Sequence, residues 1–144
     1  MEILNRKSKF EYHLLQSFEA GIMLKGTEVK SLRLGQANMS DAWCVFEHEE
    51  LYLKNLHISE YEHASMSQHE VKASRKLLLK KSELKKLERR VAEKGLTIVP
   101  FRIYFSARGH AKCEIYLAQG KKEFDKRNTI KDRDVQRDID RQLA

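Results

Sequence analysis

Two runs near the C-terminal end alternate strictly enough to constrain the fold class. Thr97, Val99, Phe101, Ile103 and Phe105 alternate with Ile98, Arg102 and Tyr104; Ala111, Cys113, Ile115 and Leu117 alternate with Lys112, Glu114 and Tyr116. A period of two places every second side chain on one face, which is what a half-buried strand requires. Arg108 and Gly109 supply a turn between the runs, so the pair reads as an antiparallel hairpin. The lone proline, Pro100, has no N–H to give a ladder and predicts an edge or a bulge at that point.

A second organising stretch is Phe18 to Gly35, FEAGIMLKGTEVKSLRLG. Gly21 to Leu24 has room for one buried strand, Gly26 permits a turn, Thr27 is placed to cap a short helix, and Glu28 suits its positive end. Val29 and Leu32 form an apolar face, while Lys30 and Arg33 project together from another, as a solvated surface or a phosphate-contacting pair. Upstream, Met1 to Lys9 is polar and basic and is expected to be a flexible arm, followed by a strand through Phe10, Tyr12 and Leu14. Ala42 to Phe46 and Leu51 to Ile58 suit a hairpin, the first strand apolar on both faces through Trp43 and Val45, Cys44 and Phe46. Ser59 to Ala73 shows no sustained period and reads as a long exposed loop. Ser82 then opens a helix with Leu84, Leu87 and Val91 on one face and Lys85, Lys86, Arg89 and Arg90 on the other, ended by Gly95.

The pattern predicts a mainly β domain with helices over residues 1–118, an OB-fold-like antiparallel barrel of about six strands with peripheral helices. A basic C-terminal tail occupies 119–144. The tail mixes acids and bases with sparse apolar residues, so it is expected to be disordered alone. If helical, it would carry Arg133, Arg137 and Arg141 as a stripe beside Val135, Ile139 and Leu143.

With 28 Lys or Arg against 21 Asp or Glu, the net charge of +7 points to a polyanionic partner. No run is long enough for a membrane span and the N-terminus has no secretion signal, so a cytoplasmic location and no membrane partner are expected. Cys44 and Cys113 lie in strand-like runs and read as buried reduced thiols. The six histidines show no metal-ligand spacing, and no phosphate loop, dinucleotide fingerprint or nucleophile elbow occurs. No metal, cofactor or catalytic residue is expected. Basic residues with interleaved aromatics suit RNA, since no groove-reading helix for duplex DNA can be identified.

Five runs, KGTEVKSLR (25–33), NLHI (55–58), RKLLL (75–79), KGLTIVP (94–100) and GKKEFDKR (120–127), resemble the small protein B family, the SsrA-binding proteins of bacterial trans-translation. The resemblance runs in order along nearly the whole chain. It implies a non-catalytic protein that binds the tRNA-like domain of transfer-messenger RNA. With elongation factor Tu on the charged RNA, it delivers that RNA to a stalled ribosome. Asn5, Glu19 and Leu78 match the family's RNA-binding positions. Arg6, Lys7, Lys30, Arg33, Arg75, Lys76 and Lys80 join them as neighbouring bases. Gly120, Lys121, Lys122, Asp125, Lys126 and Arg127 match positions near the decoding centre, and the remaining tail would become a helix in the empty mRNA channel. Phe124 stands where relatives often have His or Tyr, which keeps stacking and removes a hydrogen bond. A monomer is expected. The alternative is a ribosome-associated factor of initiation-factor type that binds the small subunit without a tRNA-like partner.

Overall fold

The alternating runs form β8 (Leu96–Phe105) and β9 (Ala111–Gly120), paired antiparallel with Ile103 opposite Cys113 and Val99 opposite Tyr116. This computed structural model describes residues 1–63, 68–93, 95–122 and 127. Gly109, at φ +82°, closes the turn and donates its N–H to the Ser106 carbonyl at 2.9 Å. The register shifts between Pro100 and Arg102, so the proline sits at a bulge inside the sheet and not at its edge.

The other elements, in chain order, are β1 (Glu2–Leu4), α1 (Arg6–Glu11), β2 (Tyr12–Ile22), α2 (Gly26–Arg33), β3 (Ala37–Asn38), β4 (Trp43–Glu47), β5 (Glu50–Lys54), β6 (His57–Ile58), β7 (Arg75–Leu78) and α3 (Lys81–Val91). Seven strands make one antiparallel sheet in the order β1-β8-β9-β2-β7-β5-β4, and β3 pairs separately with β6. The last strand, β4, comes back against β8, so the sheet curls into a barrel-like body. Its inner face is read across the strands: Ile3, Ile103, Cys113 and Ala20 form one buried row, and Leu77 and Leu51 belong to the next. Leu84 and Leu87 of α3 and Leu32 of α2 enter the same core.

Five expectations are corrected. Met1 to Lys9 is not a free arm: Ile3 pairs with Ile103, and the following residues turn directly into α1, which takes in Phe10. The two strands expected between Phe10 and Leu24 are one, β2, whose pairing with β9 shifts between Leu14 and Gln16 while its alternation runs on unbroken and leaves Leu15 exposed. Trp43 is 51% exposed, because β4 turns Cys44 and Phe46 onto the core and Trp43 to the other face. His69, in the polar loop, is buried, its ring nitrogens 2.8 Å from the Thr27 hydroxyl and 2.9 Å from the Ile58 carbonyl. Thr27 is thereby taken up by His69, and it is the Lys25 N–H, bonded to the Glu28 carboxylate at 2.8 Å, that closes the head of α2.

Both cysteines are free, Cys113 buried and Cys44 half-buried. Burial pushes both thiols up, Cys113 to about 12. No helix among the described residues is long and apolar enough to cross a membrane.

Candidate RNA-binding surface

The outer face of the sheet carries the chemistry. Along β2, Phe18, Ala20 and Ile22 point inward, so Glu19 and Gly21 point outward. Pairing then sets two outward rows. Glu19 lies opposite Glu114, Glu114 opposite Arg102, and Arg102 opposite Leu4; in the next row Leu78, Gly21, Lys112, Tyr104 and Glu2 follow one another across β7, β2, β9, β8 and β1.

Polar side chains link the rows. The Tyr104 hydroxyl donates to Glu19, across the intervening strand β9. Arg102 donates to Glu114 at 2.6 Å, reaches Glu2 at 3.6 Å, and stacks its guanidinium 4.3 Å from the centre of the Tyr104 ring. Burial and the hydrogen bond to Glu19 push Tyr104 up to about 12, so it remains a donor at neutral pH. Burial alone would raise the Glu114 carboxyl, but hydrogen bonds from Tyr116 and Arg102 outweigh it and hold the group below its ordinary value. These bonds in turn raise the Tyr116 phenol and the Arg102 guanidinium.

Leu78 is 48% exposed on this face, its Cβ 3.3 Å from where a Cβ on Gly21 would stand, while its neighbour Leu77 supplies the core contact. Exposed Met23 extends the apolar strip, its N–H bonded to the Lys76 carbonyl at 3.0 Å. An apolar strip flanked by Lys76, Lys112 and an oriented carboxylate can stack on bases, contact phosphates and accept base N–H groups at once.

The "SmpB protein" family model matches residues 2–144. The chain belongs to the SmpB family. It is 50% identical over 141 residues to the "SsrA-binding protein" of Cytophaga hutchinsonii, covering 98% of this chain and 92% of that one. The "SsrA-binding protein" of Desulforamulus reducens is also 50% identical, over 139 residues that cover 96% of this chain and 86% of the relative. A solved chain described as "tmRNA-SmpB: a journey to the center of the bacterial ribosome" superposes with a TM-score of 0.70 at 48% identity and covers 85% of each chain. The fold expected from the five runs is therefore the family's own, with seven strands in the main sheet where about six were expected.

The structure separates the residues that the sequence groups together. Glu19, Leu78 and Lys76 share the outer face; Lys76 also reaches Glu50 at 3.7 Å. Asn5 is only 6% exposed, and its backbone N–H and side-chain amide bond the Phe101 and Pro100 carbonyls at 2.7 and 3.0 Å, so it braces α1 against the bulge. Arg6 and Lys7 are exposed on α1, with Lys7 3.9 Å from Asp41. Arg33 lies 4.4 Å from the Phe105 ring and Lys30 5.4 Å from the Tyr61 ring, so each is drawn over an aromatic face. Lys80 is exposed and heads α3.

Arg75 is a correction: it is 2% exposed, ion-paired with Glu28 and bonded to the carbonyls of Leu56, Glu70 and Val71, so its guanidinium faces the interior. Gly120 ends β9 opposite Tyr12, and the Lys121 N–H bonds the Glu11 carbonyl at 2.8 Å, which extends the ordered body past residue 118. Lys122 and Arg127 are exposed. Phe124, Asp125, Lys126, Arg133, Arg137 and Arg141 lie outside the described residues. Among those described, no group of three or more His, Cys, Asp or Glu could hold a metal ion. The network of Arg102, Glu114 and Tyr104 was not singled out from sequence; the signal available was their place on the polar phase of the final hairpin.

Proposed function

We propose that this protein is a non-catalytic cytoplasmic factor that binds the tRNA-like domain of transfer-messenger RNA and delivers it to stalled ribosomes. The observation that carries the reading is the near full-length relationship to SsrA-binding proteins, together with 48% identity to a chain whose description joins tmRNA and the ribosome. The outer face supports it chemically. Glu19 accepts base N–H groups, Leu78 and Met23 offer apolar contact, and Lys76 and Lys112 lie beside phosphates. Arg6, Lys7, Lys30, Arg33 and Lys80 add exposed positive charge around the body, and Asn5 contributes by bracing α1.

In this reading the protein acts as a monomer and meets elongation factor Tu only through the charged RNA. Gly120, Lys121, Lys122, Phe124, Asp125, Lys126 and Arg127 contact the decoding centre, while Arg133, Arg137 and Arg141 follow into the mRNA channel. The body, taken to Lys122, is separable from the residues that follow, because β9 and its bond to α1 are complete there. The test compares a transcript of the tRNA-like domain with an unrelated hairpin of the same length, across a salt series. The full chain and a chain ending at Lys122 should both prefer the tRNA-like transcript, with affinity falling steeply with salt, and only the full chain should support tagging of stalled peptides. Equal affinity for the two RNAs would overturn the proposal.

A further inference from the structure

Glu19 presents a physical problem: a carboxylate on an RNA-binding face is repelled by phosphates and helps only if its oxygens are held where base donors arrive. Arg102, the nearest guanidinium along its row, is already committed to Glu114 and Glu2. An arginine turned onto Glu19 would cover both carboxylate oxygens in a bidentate fork and leave little acceptor capacity for a ligand. The contact actually made comes from a neutral O–H, which engages one oxygen and leaves the other open to a ligand.

We propose that Tyr104 is a positioning residue for RNA recognition, its hydroxyl fixing the Glu19 carboxylate in the orientation that accepts base N–H groups while Arg102 holds the tyrosine ring. The inference rests on the RNA-binding reading of Glu19 and adds a residue that does not itself touch the RNA. The arrangement is a relay across four strands. Glu2 on β1 and Glu114 on β9 grip Arg102 on β8 from two sides, the guanidinium lies flat over Tyr104, and the phenol reaches over β9 to β2. Tyr104 and Glu19 stand in adjacent rows on strands that both pair with β9 but not with each other, so the side chains themselves must bridge the gap.

The experiment is a double-mutant cycle on the full chain, reading affinity for the tRNA-like domain of transfer-messenger RNA. Tyr104→Phe removes one oxygen from a ring that is packed and stacked, and should weaken binding about tenfold, the scale of one charge-assisted hydrogen bond. In a Glu19→Ala background the same change should have almost no effect, since nothing remains to be positioned. A purely structural role for Tyr104 would give the same loss in both backgrounds, and that result overturns the inference, as does unchanged affinity in Tyr104→Phe alone. If Glu19→Ala itself leaves affinity intact while the protein still selects the tRNA-like transcript, the role of Glu19 falls and the positioning role falls with it. Loss of selectivity in the unmodified chain would instead refute the function as a whole.

Discussion

Replacing Arg75 with Met tests whether this residue belongs to the fold or to the RNA. The side chain is an almost complete set of satisfied donors: Glu28, the Leu56 carbonyl at 2.6 Å, the Glu70 carbonyl at 3.3 Å and the Val71 carbonyl at 3.2 Å. Removing it leaves the Glu28 carboxylate, itself 4% exposed, bonded to the Lys25 N–H. An orphaned buried charge of this kind costs about 3–5 kcal/mol. For a chain of 144 residues, at about 3 °C per kcal/mol, the melting point should fall by about 9–15 °C. Urea unfolding should show a lower midpoint with an unchanged slope. Glu28→Leu alone should be comparably destabilising, because it strands the arginine. The double variant should lose less than either single one, since it leaves no unpaired charge. Below its melting point Arg75→Met should keep its RNA affinity. A single-variant loss under about 1 kcal/mol would match an exposed pair and refute the reasoning, as would a double variant whose loss equals the sum.

Glu114 should make the fold acid-sensitive. Its carboxyl is held below its ordinary value of 4.5, so its stabilising contribution is complete above that pH and disappears as pH falls through the lowered folded value; urea midpoints of Glu114→Gln and the unmodified chain should converge in that window, and a gap that stays constant into strong acid would contradict this. Cys44 and Cys113 should resist iodoacetamide at mildly alkaline pH while the urea-unfolded chain is modified at both, because burial keeps the thiols protonated; rapid labelling of Cys44 in the native protein, followed by mass spectrometry, would refute it.

What the sequence made legible follows from how local each signal is. The β8–β9 hairpin and α3 announce themselves because ten or more residues repeat one period, and a turn or glycine marks each end. β1 is three residues long and buries one side chain, too little for any period to register. β2 reads as two strands in sequence because polar Gln16 and Ser17 interrupt the apolar run, although its buried side chains keep one phase from Tyr12 to Ile22. The run Leu77, Leu78, Leu79 does not say which leucine faces out; only pairing of Leu78 with Gly21 and of Leu77 with Leu51 decides it. Arg75 was misplaced for a related reason: its partner Glu28 is 47 residues away, and nothing in RKLLL distinguishes a buried cation from a displayed one.

The same distinction limits what net charge says about the RNA surface. The +7 balance counts Arg75, which is sealed inside, and Arg102, which is ion-paired to two carboxylates. Lys7 and Lys76 have acidic neighbours, and Lys30 and Arg33 lie over aromatic rings, so several of the bases that the sequence assigns to phosphates already have protein contacts. Counterion release therefore supplies less selectivity than composition suggests, because it acts on any phosphate backbone alike. Discrimination of one folded RNA has to come from groups whose positions are fixed, and on the outer face Glu19 is an acceptor held in place by the Tyr104 hydroxyl. Glu19 opposes binding by charge alone. On the proposed reading, its value to recognition lies in Tyr104 and Arg102 holding it still.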